Sequence, residues 1–496
     1  MNTPIRRVSL VVVLMLVALL ANITYVQVFK ADSLRADPRN NRVLLDEYSR
    51  QRGAITAGGT VIAVSTPTDN RLKFLRTYPP EGAEAFAPVT GFFSFQYGST
   101  GIEQVENSIL NGSDDRLFGQ RFMDMFSGRD PRGGNVVTTI DPRLQRIAYD
   151  RMSTGCQGGC RGAVVALEPT TGKILAMVST PSFDPNKLAS HDQDVREQAW
   201  MAWNRPGGTA QPMLNRAIEQ TYPPGSTFKV VTAASALRDG VPASVRLTSA
   251  SQFPLPDTTI SLPNYGGETC PDSSGGTVSL TTALKYSCNT AFADLVVNKM
   301  PNARAMFSET AHRFGMDEPA PDIPMSVATS TIGPIPDAPA LAQSSIGQRD
   351  VRLTPLQNAM IAATVANGGV RMQPYLVDKL QSADLRTLHT TRPTTINEPI
   401  TSDQAATLTD MMVESERSTD GAGGPVTIAS KTGTAERGSA DETPLSWYIA
   451  FGPSSNAKIA VAVVVENGDY GVDSVGATVA APIGRALVNA QVGGGR

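Results

Sequence analysis

Two residues three positions apart, Ser226 and Lys229, carry the side chains that serine acyl transfer requires. In Tyr222-Pro-Pro-Gly-Ser-Thr-Phe-Lys229, prolines and a glycine precede a run of helix formers, which predicts a helix that begins near Ser226. Residues three apart share a helix face, so the hydroxyl and the amine can meet. A desolvated lysine with a lowered pKa can remove the serine proton.

Ser-x-x-Lys is a loose pattern, and the chain contains it again as Ser455-Asn-Ala-Lys458, in a polar turn before a β-like run. An ordinary helix start is therefore an alternative interpretation of Ser226 and Lys229. Two further motifs, which follow in order along the chain, favour the chemical interpretation.

Ser287-Cys-Asn289 comes 61 residues after the candidate nucleophile, between two predicted helices, Val278–Tyr286 and Thr290–Lys299. A break between helices allows side chains to point into a cleft. The Ser287 hydroxyl beside a lysine can relay a proton to a leaving amine, and Asn289 can donate to a substrate carbonyl. A helix cap is the alternative role of Ser287, and Ser454-Ser-Asn456 shows that Ser-x-Asn is a common pattern.

Lys431-Thr-Gly-Thr434 lies on a predicted strand, 205 residues after Ser226. The Lys431 charge would stabilise deprotonated groups nearby and attract a substrate carboxylate. Gly433 would let the strand approach a bound peptide closely. We assign Thr432 and Thr434 to substrate binding as well, and the amides of Ser226 and Thr434 to an oxyanion hole. The alternative is that both threonines are ordinary strand residues.

The composition is that of a globular protein with two or three domains. The chain has 496 residues, of which 41% are hydrophobic and 18% charged. Its net charge of −3 gives no indication of a nucleic-acid partner.

The N-terminus carries an uncharged apolar run, Val8–Phe29, that is long enough to cross a bilayer as a helix. Arg6 and Arg7 precede it, so we expect the short tail to be cytoplasmic and the remainder to be outside. A cleaved signal peptide is the alternative, but the apolar run extends beyond the length that such a peptide needs.

Four cysteines, Cys156, Cys160, Cys270 and Cys288, allow three pairings that the sequence does not distinguish. Cys156–Cys160 and Cys270–Cys288 are plausible bridges in an oxidising compartment, and buried free thiols are the alternative. A zinc site is disfavoured because the chain has only three histidines and no second closely spaced cysteine pair.

Strand patterns occur early and late in the chain, on either side of a helical middle. The predicted strands are Val136–Ile140, Gly162–Glu168, Lys173–Val178, Val426–Thr434, Ser446–Phe451 and Lys458–Glu466. The main further helices are predicted at Pro142–Met152, Leu356–Asn367 and Thr478–Val488. This arrangement predicts an α+β domain in which early strands pair with late ones. Before Arg132, we expect short strand-like runs, such as Gly91–Tyr97, that alternate with loops.

The order Ser-x-x-Lys, Ser-x-Asn, Lys-Thr-Gly resembles the signature of penicillin-binding transpeptidases and of their serine β-lactamase relatives. Further segments are similar to class B, monofunctional penicillin-binding proteins, and the resemblance covers nearly the whole chain. These segments are Arg52-Gly-Ala-Ile55, Thr138-Thr-Ile-Asp141, Asn215-Arg-Ala217 and Thr354-Pro-Leu-Gln357.

The resemblance implies an antiparallel sheet flanked by helices, on a small N-terminal pedestal with one transmembrane helix. The implied parts are a cytoplasmic tail (1–7), a membrane anchor (8–29), a non-catalytic pedestal (30–134) and a transpeptidase domain (135–496). Two positions depart from the family: Gly476-Ala477 replaces the usual Gly-Gly, and Leu445 replaces a common histidine. We expect neither to touch a catalytic atom, although the preference for an acceptor could differ.

The function implied by the resemblance is peptidoglycan D,D-transpeptidation. Ser226 would attack the penultimate residue of a stem that ends in D-Ala-D-Ala, and an amine of a neighbouring stem would take the acyl group. Lys229 would act as the base, Ser287 as the proton relay, and Asn289 and Thr434 would hold the substrate. β-Lactams would acylate Ser226. The family also implies a SEDS-type glycan polymerase as membrane partner, and no metal or organic cofactor.

Two other functions are compatible with these motifs. One is a hydrolase on the same fold, either a D,D-carboxypeptidase or a β-lactamase, and rapid loss of a penicillin label would indicate the latter. The other is a non-catalytic scaffold of the cell-wall or division machinery, which would still complement a deletion after Ser226→Ala.

Overall fold

The computed structural model describes residues 2–30, 34, 48, 50–70, 72–127, 132–205, 208, 210–436, 443–468 and 475–493. The α-helices are α1 (Asn2–Thr24), α2 (Ala83–Thr90), α3 (Gly101–Val105), α4 (Asn107–Leu110), α5 (Phe118–Ser127), α6 (Pro142–Thr154), α7 (Pro185–Ala189), α8 (Gln193–Trp203), α9 (Lys229–Arg238), α10 (Leu280–Lys285), α11 (Asn289–Asp294), α12 (Ala303–Arg313), α13 (Ala338–Ser345), α14 (Pro355–Ala366), α15 (Ser402–Arg417) and α16 (Ala480–Gly493). The strands are β1 (Ile55–Ala57), β2 (Thr60–Pro67), β3 (Phe74–Thr77), β4 (Phe93–Ser94), β5 (Gly98–Ser99), β6 (Asn135–Thr138), β7 (Gly162–Leu167), β8 (Ile174–Thr180), β9 (Arg246–Thr248), β10 (Gln252–Pro254), β11 (Ser261–Pro263), β12 (Thr277–Ser279), β13 (Arg371–Met372), β14 (Val377–Gln381), β15 (Thr387–Thr390), β16 (Thr395–Asn397), β17 (Ala429–Ala435), β18 (Leu445–Gly452) and β19 (Ile459–Val465).

A five-stranded antiparallel sheet, in the order β17-β18-β19-β7-β8, forms the centre of the larger part of the molecule. The early strands β7 and β8 therefore pair with the late strand β19, which confirms the predicted non-local pairing. Strands β7, β8, β18 and β19 are buried along their whole length. Such strands need apolar residues on both faces, and this explains their continuous Val, Ile and Ala runs.

Alternate residues of this sheet face two different helical layers. Val164 and Val463 pack in the cluster formed with α6 and α16, whereas Val165 and Val464 belong to the cluster that contains α14. Because successive strand residues point to opposite faces, one run of valines serves two cores. The sheet is therefore held rigidly between helices.

A second sheet of six strands has the order β15-β14-β6-β1-β2-β3. Strand β1 pairs in parallel with β6, and β6 pairs antiparallel with β14, which comes from far along the chain. The N-terminal region thus shares a sheet with residues 377–390. The division into a pedestal (30–134) and a transpeptidase domain (135–496) remains a prediction, and this sheet crosses that boundary.

The expected alternation of short strands and loops before Arg132 is only partly correct, because strands β1 to β3 form there, with a Gly58-Gly59 turn between β1 and β2, but helices α2 to α5 occupy much of the remaining region. Of Gly91–Tyr97, only Phe93–Ser94 forms a strand, in a two-stranded pair with Gly98–Ser99. Phe92 and Phe93 are buried as anchors of a turn that follows α2, and Gly91 has a φ of +65°. Aromatic residues with a β-like pattern here fill a core between helices instead of lining a sheet.

The N-terminal helix is long and apolar enough to cross a membrane. The apolar segment Pro4–Phe29 has 26 residues, an 18-residue window within it has a mean hydropathy of 2.4, and it ends in a π-helical turn at Tyr25–Phe29. It contains the whole predicted anchor, Val8–Phe29. A single-pass membrane protein is consistent with this helix.

Two disulfides resolve the pairing that the sequence left open. Cys156 is bonded to Cys160 just after α6, and Cys270 is bonded to Cys288, which precedes α11. All four cysteines are therefore in disulfides.

Candidate active site

Ser226 lies in a tight 3₁₀ turn, Gly225–Phe228, and the α-helix α9 begins only at Lys229. The helix predicted from Ser226 is thus delayed by one turn. Gly225 has a φ of +53°, and its amide donates to the Gly347 carbonyl at 3.0 Å. A left-handed glycine before the turn redirects the chain, so the half-buried Ser226 precedes a helix that is deeply buried.

The segment before Ser226 is held in place by residues that lie outside the three motifs. The Trp447 indole N–H donates to the Pro223 carbonyl at 2.9 Å. The Tyr222 hydroxyl donates to Glu466 Oε1 at 2.8 Å, and the Tyr222 and Leu353 backbones form two hydrogen bonds of 2.9 Å each. No local signal in the sequence reveals these partners, because they lie on distant strands and loops.

The Lys229 amine is where the first two motifs meet. Lys229 is fully buried, and its Nζ contacts the Ser287 carbonyl at 2.6 Å, Asn289 Oδ1 at 2.7 Å and Ser287 Oγ at 3.2 Å. Within the described part of the chain, the Ser226 hydroxyl forms no hydrogen bond. Nucleophile–base contacts are often loose before substrate binds, so this geometry is compatible with a base at Lys229.

The turn at Ser287–Asn289 separates α10 from α11, as predicted. Ser287 has a φ of +61°, a left-handed conformation that is uncommon for residues other than glycine and that often occurs at functional sites. The Asn289 side-chain N–H donates to the Pro263 carbonyl at 3.1 Å, which orients its Oδ1 toward Lys229. Cys288 stands between Ser287 and Asn289, and its disulfide with Cys270 links this turn to another loop.

Strand β17 brings the third motif against the Ser226 turn. A Cβ built on Gly433 would lie 2.9 Å from both Pro224 O and Thr227 Cγ2, and one built on Gly225 would lie 2.6 Å from Thr434 O. Both glycines are therefore needed for close approach between strand and turn. All three predicted motifs converge on one place.

Burial perturbs both lysines of the site. Burial, and then the charge of Lys431, lower the pKa of Lys229 well below its ordinary value of 10.5. Burial alone lowers the pKa of Lys431 to about 7. The Lys431 amine donates to the Thr432 carbonyl at 3.0 Å. Burial and the Lys431 charge both favour the neutral form of the Lys229 amine, which is the form that a general base requires.

A cleft of about 750 Å³ adjoins these motifs. Its lining residues are Gln220, Tyr222, Pro223, Leu262, Pro263, Asn289, Gln343, Ile346, Gln348, Arg349, Arg352, Glu436, Leu445 and Glu466. The cleft shares Asn289 with the second motif and Pro223 with the segment before Ser226. Leu445, which departs from the family pattern, also lines it.

The duplicate motifs lie elsewhere. Ser455-Asn-Ala-Lys458 and Ser454-Ser-Asn456 occupy the turn between β18 and β19, where Lys458 is exposed and contacts Asn456 Oδ1 at 3.4 Å. The amine of this second match is exposed, whereas that of Lys229 is fully buried. Tertiary position, and not the local pattern, distinguishes them from the site.

Comparison with models of known protein families shows the family to which this chain belongs. Residues 162–489 match the penicillin binding protein transpeptidase domain, and residues 52–136 match the penicillin binding protein A dimerisation domain. The chain belongs to the penicillin-binding protein family. The resemblance stated from the motifs is thereby confirmed.

Several relatives align with this penicillin-binding protein over its full length. It is 55% identical to peptidoglycan D,D-transpeptidase PbpA of Mycolicibacterium smegmatis, over 99% of each chain. It is 54% identical to the protein of the same name from Mycobacterium tuberculosis, over 100% of each chain. The ceftriaxone acyl-enzyme structure of M. tuberculosis penicillin-binding protein A matches with a TM-score of 0.87 and 53% identity, covering 90% of this chain and 100% of that chain. The penicillin-binding transpeptidase fold is therefore confirmed.

Proposed function

We propose that this protein is a peptidoglycan D,D-transpeptidase that cross-links stem peptides through an acyl-enzyme on Ser226. The observation that carries the proposal is the buried Lys229 amine, which joins the Ser226 turn to Ser287 and Asn289 beside Lys431. Membership of the transpeptidase family and PbpA relatives at more than 50% identity support it.

In the acylation step, Ser226 Oγ attacks the carbonyl of the penultimate D-Ala, and the C–N bond to the last D-Ala breaks. Neutral Lys229 takes the serine proton. The backbone amides of Ser226 and Thr434 donate to the oxyanion, and their proximity follows from the contact of Gly225 with Thr434.

The contacts of Lys229 support a relay through Ser287. A neutral amine has two N–H donors and one lone pair. The Ser287 carbonyl and Asn289 Oδ1 accept only, so they take both N–H groups. The lone pair is then left to take the Ser226 proton, and the N–H that forms can donate to the Ser287 hydroxyl at 3.2 Å. Ser287 can thus pass the proton to the departing D-Ala amine.

The third motif binds the carboxylate and the backbone of the substrate. Lys431 supplies positive charge, while Thr432 and Thr434 bind the end of the donor peptide and Gly433 keeps the strand close to it. Asn289 holds the donor amide. β-Lactams acylate the same serine because their ring amide occupies the position of the scissile bond.

Membrane attachment fits such a substrate. The N-terminal apolar helix with Arg6 and Arg7 before it favours a cytoplasmic tail and an extracytoplasmic catalytic region. A SEDS-type glycan polymerase in the same membrane is the partner that the family resemblance implies.

Mass spectrometry after incubation with benzylpenicillin tests the proposal. We expect one adduct on the peptide that contains Ser226, and a loss of at least about a thousandfold in acylation rate for Ser226→Ala. Ser455→Ala, in the duplicate motif, is the matched control and should label like the unchanged protein. An adduct that persists in Ser226→Ala would refute the assignment of the nucleophile.

Turnover of a donor peptide thioester separates transpeptidation from hydrolysis. With a D-amino acid as acceptor, the expected main product is the new peptide bond, because the acyl group passes to an amine. Formation of free acid alone would indicate a carboxypeptidase.

A further inference from the structure

One guanidinium in the cleft is held in place without a carboxylate partner. Arg352 Nη1 donates to the Arg349 and Val351 carbonyls, both at 2.9 Å. Among the residues that the structure describes, no carboxylate forms an ion pair with Arg352, and its Nε and Nη2 have no acceptor. Arg352 is only half-buried and lines the cleft, so this edge of the guanidinium is available to a ligand.

Two other charged groups of the cleft, Glu466 and Arg349, differ in this respect. Glu466 accepts from Arg161 at 2.8 Å and from Arg216 at 3.2 Å, so its charge is already matched. Arg349 forms an ion pair with Asp350 at 3.4 Å and donates to the Pro334 carbonyl at 2.7 Å. Arg352 is thus the cation of this cleft whose charge the described residues leave unmatched.

The position of Arg352 is coupled to the nucleophile through the backbone. Its amide and carbonyl form two hydrogen bonds of 2.8 Å with Thr331, and the next residue, Leu353, pairs with Tyr222. Tyr222 precedes Ser226 by four residues. The guanidinium therefore stands at a fixed place relative to the acyl-enzyme, and Lys431 does not line this cleft.

We propose that Arg352 forms a subsite for a second carboxylate of a stem peptide, distinct from the C-terminal carboxylate. This proposal rests on the proposed transpeptidase function. The free Nε–Nη2 edge matches the two oxygens of a carboxylate, and the backbone acceptors on Nη1 orient the guanidinium before the ligand arrives. The carboxylate belongs either to a side chain of the donor stem or to the acceptor stem.

A pair of peptide thioesters, used with the full-length protein, tests whether the carboxylate that Arg352 binds belongs to the donor stem. One donor carries a free side-chain carboxylate before D-Ala, and the other carries the corresponding amide. Thiol release reports acylation, in which the Ser226 ester forms and the thioester bond breaks. A donor subsite predicts a preference of roughly 10-fold or more for the carboxylate form, which Arg352→Gln should abolish.

Paired acceptors test the other source. The ratio of aminolysis to hydrolysis is measured with an acceptor amine that has a free or an amidated carboxylate. A preference that appears only at this stage, and disappears in Arg352→Gln, assigns the subsite to the acceptor. Arg349→Gln is the matched control because its charge is already paired, and it should keep the preference.

Each readout is a ratio within one variant, so partial unfolding does not affect it. The subsite is refuted if the unchanged protein shows no preference for the carboxylate form at either stage. It is also refuted if Arg352→Gln lowers the reaction rates of the carboxylate and amide forms by the same factor. Failure of benzylpenicillin to acylate the unchanged protein would instead contradict the proposed function.

Discussion

At the scale of single residues, the site depends on two lysines buried side by side. Lys229 lies in the middle of the converging motifs, and Lys431 lies on the neighbouring strand, where its charge lowers the pKa of Lys229 further. Two buried amines close together cannot easily both be charged. The arrangement therefore favours one neutral amine for proton transfer and one cation for anion binding.

The pH dependence of acylation follows from these ionisations. The value of kcat/KM for benzylpenicillin reports the free enzyme, in which Lys229 must be neutral and Lys431 charged. We expect a bell-shaped profile whose alkaline limb lies near pH 7, because the pKa of Lys431 is about 7. Above that pH, the cation that attracts the penicillin carboxylate is lost.

Lys431→Arg checks this assignment, because arginine remains charged throughout the measurable range. Its alkaline limb should move to higher pH while the acid limb, set by Lys229, stays. An unchanged alkaline limb in Lys431→Arg would show that another group titrates there.

At the scale of elements, the proposed mechanism depends on how closely β17 approaches the Ser226 turn. Gly433→Ala would place a methyl group 2.9 Å from Pro224 O and 3.1 Å from Trp447 Cβ. Overpacking of this kind costs roughly 1–3 kcal/mol, and it would move Thr434 away from the nucleophile. We expect penicillin acylation to fall by about 10-fold or more, measured by stopped-flow or gel-based labelling.

A glycine with free space around it gives the control. A Cβ on Gly119, in α5, meets no atom within 4 Å. Gly119→Ala should leave acylation unchanged and raise helix stability by roughly 0.5–1 kcal/mol. Equal acylation by Gly433→Ala and the unchanged protein would contradict the close-packing argument.

The two disulfides should differ in their effects on activity. Cys270–Cys288 closes a separation of 18 residues and sits within the Ser287–Asn289 turn, whereas Cys156–Cys160 closes a separation of 4 near the end of α6. Replacing Cys270 and Cys288 by serine should lower the free energy of unfolding by about 3 kcal/mol and slow acylation.

Replacing Cys156 and Cys160 by serine should cost less stability and leave the acylation rate intact. Denaturant titration and labelling kinetics on both double variants make the comparison. If both double variants acylate at the original rate, the disulfide beside Ser287 does not position the motif.

At the scale of the whole molecule, the N-terminal region and the catalytic part share a sheet. Strand β6 lies between β1 and β14, and its Val136 is fully buried. The buried pairs Arg52–Glu103 and Arg76–Glu103, each at 2.6 Å, join further N-terminal segments. Removing this region would expose an apolar sheet edge, which promotes aggregation.

Two truncations test this dependence. A chain of residues 50–496, which lacks only the membrane helix and the segment after it, should stay soluble and label with penicillin. A chain of residues 139–496 lacks β1 to β6 and should aggregate or lose cooperative unfolding, measured by size-exclusion chromatography and thermal melts. A soluble, fully active 139–496 chain would show that the shared sheet is dispensable.

The sequence by itself determined the three motifs, the long strands and the apolar anchor. Ser-x-x-Lys, Ser-x-Asn and Lys-Thr-Gly are local patterns, and the strands β7 and β19 can be recognised from continuous apolar runs that contain several valines. The position of Lys229 one turn after Ser226 also follows from local helix geometry. These features were predictable because the information lies within a few consecutive residues.

Only the tertiary structure decided which of the repeated patterns forms a site and how cysteines pair. Ser455 and Lys458 match the same pattern as Ser226 and Lys229, yet both side chains are exposed in the turn between β18 and β19. The aromatic run Gly91–Tyr97 has a strand-like pattern but forms only the short strand Phe93–Ser94, because burial between helices requires the same apolar residues. The burial that lowers the pKa of Lys229, and the backbone acceptors that hold Arg352, come from residues far apart in the chain. Such contacts carry no local signal, since they arise only when the complete chain packs.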